Sequence, residues 1–316
     1  MSALWRPSAD LETLRQRALL IQKIRAFFIE RAYLEVETPA MAHYGISDPY
    51  LTNIHASFRR QAYALQTSPE YHMKRLLAAG SGPIFQLARV FRDDELGRWH
   101  NPEFTLLEWY QLDVDHHELM IEIDLFLQQL LQTPPLFKMT YQNLFQEACG
   151  LDPFTGSLHQ LRDAVARYDL AYVLDAEEQD PDQYLFLLMS HVAEPWLAQQ
   201  DRPVAVYDFP PSQASLAQVH EGVAHRFEIY YRGIELANGF HELCDAHLQA
   251  QRFRQDNVLR QRLGLASVPP DPWLLDALAH GLPACSGVAL GVDRLLMLAL
   301  NKAAISEVLA FTVERA

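Results

Sequence analysis

The chain has 316 residues, 49% hydrophobic and 21% charged, enough to bury the core of one large domain or two modest ones and too apolar for bulk disorder. Its 26 Lys plus Arg against 40 Asp plus Glu leave a formal charge of −14, which argues against a surface built to coat nucleic acid or anionic lipid. Cys149, Cys244 and Cys285 form no C-x-x-C pair and leave one thiol over after any pairing, the pattern of buried thiols in a reducing compartment.

Asp10 is placed to cap a helix running to about Ala32, with Leu11, Leu14, Ala18, Ile21, Ile24 and Phe28 on one face. The β-prone run Leu34 to Thr38 meets Pro39, whose missing N–H suits an edge or interface strand. A strand follows from Ile84 to Arg92, with Phe85, Leu87 and Phe91 on one face and Gln86, Ala88, Val90 and Arg92 on the other. The polar stretch Asp93 to Pro102 reads as a loop. Phe104, Leu106, Glu108 and Tyr110 then repeat at period two, so the whole is a long-loop hairpin.

Leu119, Ile123, Phe126 and Leu130 mark an amphipathic helix closed by Pro134-Pro135. Helical patterns dominate Lys138 to Gln200, which reads as an inserted helical subdomain. Strands return at Val204 to Phe209, Arg226 to Tyr231 and Ile234 to Phe240, the last two joined near Arg232-Gly233. Gly287 to Val292 reads as a strand entering a helix, Asp293 to Asn301. The most apolar late stretch, Ala277 to Val292, is broken by His280, Gly281, Pro283 and Gly287, and no membrane span is expected. Met1 to Asp10 lacks a basic then apolar signal pattern, so a cytoplasmic location is expected. Strands flank a helical middle without β-α-β alternation, which predicts a single antiparallel α+β domain over residues 1–316.

Around the first hairpin, Phe91 to Glu95, His100 to Phe104 and Glu108 to Tyr110 gather a fixed cation, several carboxylates and aromatics. That inventory suits ATP-driven carboxyl activation: the planar fork of Arg92 can hold a phosphate and a carboxylate together, and Phe104 offers a flat face for a purine. A charged surface hairpin with one buried aromatic explains the same periodicity. Glu108 weighs against it, because an acid between Leu106 and Tyr110 on one strand face is costly unless it meets a cation. Glu228 and Glu235 flank the tight turn, where Mg²⁺ relieves the repulsion of two neighbouring carboxylates; a solvated acidic pair is the alternative. Asn238, Phe240 and Glu242 have the other parity, so a bulge near Gly239 is needed to aim all these groups into one pocket. Gly287 to Arg294 brings backbone close to a ligand and sets Arg294 at a helix N-terminus.

Taken together, Thr38-Pro39 behind an amphipathic helix, Phe91-Arg92 through Glu108-Trp109-Tyr110, and Gly287 through Arg294 resemble the three ordered motifs of class II aminoacyl-tRNA synthetases. Thr67-Ser68-Pro69-Glu70, His100 to Thr105 and Ile234 to Leu243 resemble the lysyl members of that class. Lysyl-tRNA synthetases carry an N-terminal anticodon-binding domain, whereas here the resemblance starts near Leu11. A free-standing lysyl-type domain, together with Phe209 to Ala217 and Cys285 to Arg294, is similar to the elongation factor P–(R)-β-lysine ligase family.

The resemblance implies that ATP adenylates β-lysine and that a lysine ε-amine of elongation factor P attacks the adenylate. It implies catalytic roles for Arg92 and Arg294, with Asp93, Asp94, Asn101, Phe104, Glu235, Leu236 and Gly291 also around ATP, and Mg²⁺ held by Glu228 and Glu235. Ser68, Pro69 and Glu70 would line the amino-acid pocket, Glu70 near the backbone-side amine. Glu108, Tyr110 and Glu242 would receive the distal ammonium, with Asn238 and Ala289 also in the pocket. Asp94 departs from the usual glutamate, shortening its reach by one methylene. The first helix and the strand ending at Pro39 match the seam through which class II domains form homodimers. Two rival readings are a truncated synthetase charging tRNA or another acceptor, which the acidic balance disfavours, and a non-catalytic regulatory module, which the presence of Arg92, Glu228, Glu235 and Arg294 disfavours.

Overall fold

A computed structural model describes residues 4–93 and 96–316; Asp94 lies outside the described residues. The chain divides into two compact units, one formed by Met1–Asp115 with Glu242–Ala316 and the other by His116–His241.

In the first unit the opening helix spans Leu11–Ile29, and the Asp10 carboxylate accepts from the Thr13 backbone N–H at 2.7 Å. It ends three residues before the expected Ala32, which adopts a left-handed φ of 61° and so cannot continue a right-handed helix. Its buried stripe is Thr13, Leu20, Ile24, Phe27 and Phe28, while Leu11 and Ile29 stay 64% and 61% exposed. The expected apolar face is thus rotated: Phe28 stacks on Phe85 at 4.8 Å and fixes which side faces the sheet.

The sheet of this unit runs in the order Leu34–Glu35, Ile84–Phe91, Glu103–Leu112, Cys285–Gly291. The first pair is parallel and the others antiparallel. Leu34–Glu35 is an edge strand, as the nearby Pro39 predicts, although only two residues long. A three-stranded sheet of Met41–Ala42, His55–Phe58 and Gln61–Leu65 was not legible in the sequence. Its hairpin turns at Arg59 and Arg60, with φ of 51° and 66°, so no Gly or Asn announces it. The helix Pro272–Gly281 packs on Glu70–Ala78 and Ala246–Arg262, while the closing helix Val292–Ala299 packs on the strands Glu103–Leu112 and Cys285–Gly291. Buried Asp293 ties that helix to the sheet, accepting from the Thr105 backbone N–H at 2.7 Å and pairing with Arg17.

The second unit opens with the helix His116–Leu131. Lys138 does not begin a helical stretch, because Phe137–Thr140 forms a strand parallel to Val204–Phe209. Only then do the helices Tyr141–Cys149, Leu158–Arg167, Pro181–Leu188 and Glu194–Leu197 follow. Its sheet runs Ile234–His241, Val223–Tyr231, Val204–Phe209, Phe137–Thr140, with Val219–His220 pairing the start of the second strand. Arg232 and Gly233, at φ 51° and 77°, close the expected tight turn.

Mostly antiparallel strands flanked by helices are the α+β class expected. Among the described residues no helix is long and apolar enough to cross a membrane. The three cysteines are free; Cys149 and Cys285 are buried, while Cys244 is only half-buried, short of the expected burial.

Candidate active site

In the first unit the register decides which side chains share a face, since residues directly opposite point the same way. Glu108 lies opposite Gln86 on one side and Ala289 on the other, and Tyr110 lies opposite Ile84 and Gly287. Phe104 pairs with Val90 two rows on, and Gly291 with Leu106, so Phe104, Glu108, Tyr110, Ala289 and Gly291 occupy one face.

Glu108 is 2% exposed, and what it meets is two hydroxyls rather than the expected cation. Ser68 Oγ donates to its Oε2 at 2.6 Å and Tyr110 Oη to its Oε1 at 2.7 Å. Ser68 Oγ also accepts from the Glu70 backbone N–H at 3.0 Å, fixing the start of the Glu70–Ala78 helix, where Pro69 is the N-cap. One turn along that helix, Lys74 is buried with its Nζ 2.7 Å from Glu70 and 2.6 Å from Glu242. Lys74 was missed in the sequence, although its i, i+4 spacing from Glu70 beside buried Met73 and Leu77 was a usable signal.

Two carboxylates therefore hold one ammonium, and a third, Glu108, is close enough to feel the charge of both. Burial alone would lower the Lys74 pKa, but Glu242 and Glu70 reverse that and hold it well above the ordinary lysine value. Burial, then the charge of Glu70, pushes Glu108 up to about 8 against the pull of Ser68 and Tyr110. Burial also pushes Glu242 up, with Lys74 opposing. Glu242 and Glu70 touch the ammonium, whereas Glu108 is held by the hydroxyls of Ser68 and Tyr110. The cluster holds more carboxylates than cations, a charge balance that suits a ligand bearing ammonium groups.

Gly287 completes this wall. A Cβ built there would lie 2.3 Å from Tyr110 Cε1 and 2.5 Å from Glu242 Oε1, so only glycine leaves both groups in place. At Gly291 a Cβ would meet nothing closer than Arg294 Cδ at 3.6 Å. Ser68 and Glu70 also line a pocket with Tyr44, Asn53, Tyr71 and Asp271.

Around the hairpin loop, the Arg92 guanidinium stands 5.1 Å over the Phe104 ring. Arg294, in the first turn of the closing helix, hydrogen-bonds with His100 Nε2. Asp93 is exposed, its backbone N–H donating to Thr52 O at 3.1 Å. Asn101 is buried and its amide is used on backbone: Nδ2 donates to Glu103 O at 2.7 Å, and Oδ1 accepts from Val313 N–H at 3.1 Å. That bonding pins the loop between the strands and leaves its ATP contact without support from the geometry.

In the second unit, Tyr230 pairs with Glu235 but Ile229 pairs with Ala237, so Leu236 is the extra residue of a bulge. The bulge needed to unite these residues thus exists, at Leu236 rather than near Gly239. Beyond it Asn238 lies opposite Glu228, which brings Glu228, Glu235, Asn238 and Phe240 to one face. Glu228 is buried, bound by Arg226 and by Tyr230 Oη at 2.5 Å. Arg226 also reaches Asn238 Oδ1 at 3.3 Å, so the acid and the amide share one cation.

Residues 3–315 match the family of class II tRNA synthetases (D, K and N). The chain is 52% identical to the elongation factor P–(R)-β-lysine ligase of Salmonella gallinarum, covering 100% of this chain and 99% of the relative. It is 51% identical, over the same shares, to the proteins of that name from Salmonella paratyphi B and Salmonella heidelberg. A matched span of nearly the whole chain, together with the sheet and helices described above, establishes that this protein belongs to the class II tRNA synthetase family, among the elongation factor P–(R)-β-lysine ligases.

Proposed function

We propose that this protein is an ATP-dependent ligase that adenylates (R)-β-lysine and transfers it to a lysine ε-amine of elongation factor P. The observation that carries the substrate side is the buried cluster of Glu70, Glu108 and Glu242, in which Lys74 pairs with Glu70 and Glu242 while Glu108 is held by Ser68. A diamino acid brings two ammonium groups and one carboxylate, the charge this cluster lacks.

In the first step a carboxylate oxygen of β-lysine attacks the α-phosphorus of ATP, an O–P bond forms, and pyrophosphate leaves. Arg92 holds carboxylate and α-phosphate together by its fork, with Phe104 beside it as a surface for adenine and Arg294 on the far phosphates. Asp93, Asp94, Leu236 and Gly291 complete the nucleotide contacts; Asn101 acts by holding the loop. In the second step the ε-amine nitrogen attacks the adenylate carbonyl, an amide forms, AMP departs and the amine proton is released. No covalent enzyme intermediate is needed, and alignment supplies most of the acceleration.

Ser68, Pro69 and Glu70 line the amino-acid pocket, Glu108, Tyr110 and Glu242 take the distal ammonium, and Asn238 and Ala289 complete it. Glu228 and Glu235 fit Mg²⁺: they are two oxygen-donor acids on one face, and Glu228 uses one bond per carboxylate oxygen, leaving lone pairs for an ion. Bound there, the ion would neutralise phosphate charge.

The net charge of −14 favours a protein acceptor over tRNA. Exposed Leu11, Leu19, Ile29 and Leu34 along the first helix and its following strand support a homodimer through that face. A monomer by light scattering at micromolar concentration, with full activity, removes that claim. Free thiols support a cytoplasmic location.

The deciding experiment incubates the protein and ATP with each lysine isomer and either elongation factor P or tRNA, and weighs the products. A β-lysyl adduct on elongation factor P is expected; exclusive charging of tRNA with α-lysine overturns the reading.

A further inference from the structure

The second unit contains a histidine cluster that the ligase reaction does not use. His116 opens the helix His116–Leu131, His225 lies on Val223–Tyr231, and His241 ends Ile234–His241. One ligand nitrogen from each ring lies within 4.8 Å of those of the other two. The rings of His116 and His225 are 4.6 Å apart and those of His225 and His241 5.9 Å, both pairs nearly parallel.

Hydrogen bonding sets the tautomer at the centre. His116 is buried, and its Nε2 faces the acceptor Asp208 Oδ1 at 3.3 Å; in the neutral tautomer that donates to this carboxylate, Nδ1 is the lone pair. That Nδ1 is buried without a hydrogen-bond partner, and so is Nδ1 of His225. A buried ring nitrogen with no donor to accept from costs free energy that a packing role alone does not recover. A carboxylate gripping one nitrogen of a histidine whose other nitrogen is vacant is also the arrangement that prepares a metal ligand.

We propose that His116, His225 and His241 bind a divalent transition-metal ion of the zinc type, with Asp208 as the positioning residue for His116. Three neutral imidazoles suit such an ion better than Mg²⁺ or Ca²⁺, which take oxygen donors. Zinc–nitrogen bonds of about 2.0–2.1 Å require the three nitrogens to close in and the stacked rings to turn about χ2, a soft torsion. His225 and His241 are only half-buried, which leaves a path for the ion and room for water as a fourth ligand. The ion would clip the start of a helix to two adjacent strands.

The test titrates the full chain with Zn²⁺ by calorimetry, and with Co²⁺ by visible absorption, with millimolar Mg²⁺ present to occupy the acid pair. Expected are a site that the His225→Gln and His241→Gln variants weaken at least tenfold, strong visible Co²⁺ bands of a tetrahedral centre, and a rise in Tm on adding Zn²⁺. Asp208→Asn should weaken binding by about 10–100-fold while leaving the number of ligands unchanged. Folding of each variant is checked by circular dichroism, and a variant that misfolds is replaced by His→Ala at the same position. Unchanged Zn²⁺ affinity in the His225 and His241 variants, or no tetrahedral Co²⁺ spectrum in the wild type, overturns the proposal.

Discussion

The Nζ of Lys74 lies 2.6 Å from the carboxylate of Glu242, two groups distant in sequence and both buried. Desolvating such a pair is expensive, and Glu70 at 2.7 Å adds a second anion to the same ammonium. Removing the cation should therefore cost more than one ordinary contact. Lys74→Met is expected to destabilise the protein by about 3–5 kcal/mol in urea unfolding, because it strands buried carboxylates. Glu242→Gln, which keeps a hydrogen-bonding oxygen, should cost less. Equal stability of Lys74→Met and wild type would mean that the acids are not held by this ammonium.

Glu108 titrates upward on folding, from an ordinary 4.5 to about 8, so between these values the folded protein binds more protons than the unfolded chain. Its contribution to the stability of the ligand-free protein therefore falls as pH rises through that window. A bound ammonium reverses the preference and expels the proton, so substrate affinity should rise with pH through neutrality. Glu108→Gln should flatten the stability slope relative to wild type. Calorimetry in buffers of different ionisation enthalpy should show proton release on β-lysine binding near pH 7, and release undiminished in Glu108→Gln would assign the proton elsewhere.

Gly287 faces Tyr110 and Glu242 more closely than any Cβ tolerates. Gly287→Ala should cost about 1–3 kcal/mol of stability, the usual penalty of overpacking. The displaced Tyr110 and Glu242 should also raise KM for the amino acid while KM for ATP stays near its wild-type value. An equal rise in both would point to general unfolding of the site.

Arg92→Lys keeps the charge and loses the planar fork. Adenylate formation, followed by pyrophosphate exchange, should fall by about a hundredfold or more while the unfolding midpoint is retained. Wild-type exchange in that variant would refute the role proposed for Arg92.

Ala289 stands directly across from Glu108, and its methyl packs with Phe104 against Ala88, Val90 and Leu106. A methyl in a tight pocket discriminates by roughly 1–3 kcal/mol, enough to favour an amine on the β-carbon over one on the α-carbon. Ala289→Gly should raise kcat/KM for α-lysine more than for β-lysine. An unchanged ratio would leave the methyl as packing only.

Local patterns were sufficient wherever the determinant is short-range. Asp10 capped its helix, period-two alternation marked the hairpin of Arg92 and Glu108, and Arg232-Gly233 closed its turn, because caps, pleats and tight turns depend on neighbours within a few residues. Glu108 was conspicuous as an acid on an apolar face, and the motif residues carried the family. Tertiary structure alone decided the rest. Which face of the first helix is buried depended on Phe85, a residue far away in sequence, and the Arg59-Arg60 turn had no glycine to reveal it. The bulge at Leu236 rather than Gly239 is a property of two strands in register, since parity along one strand does not say where its partner skips a residue. The spacing of Lys74 from Glu70 is readable in the helix, but only the fold brings Glu242 to the same ammonium. Sequence named the charged groups, but their electrostatics depend on burial and on separations of a few ångströms, and only the packed chain sets those.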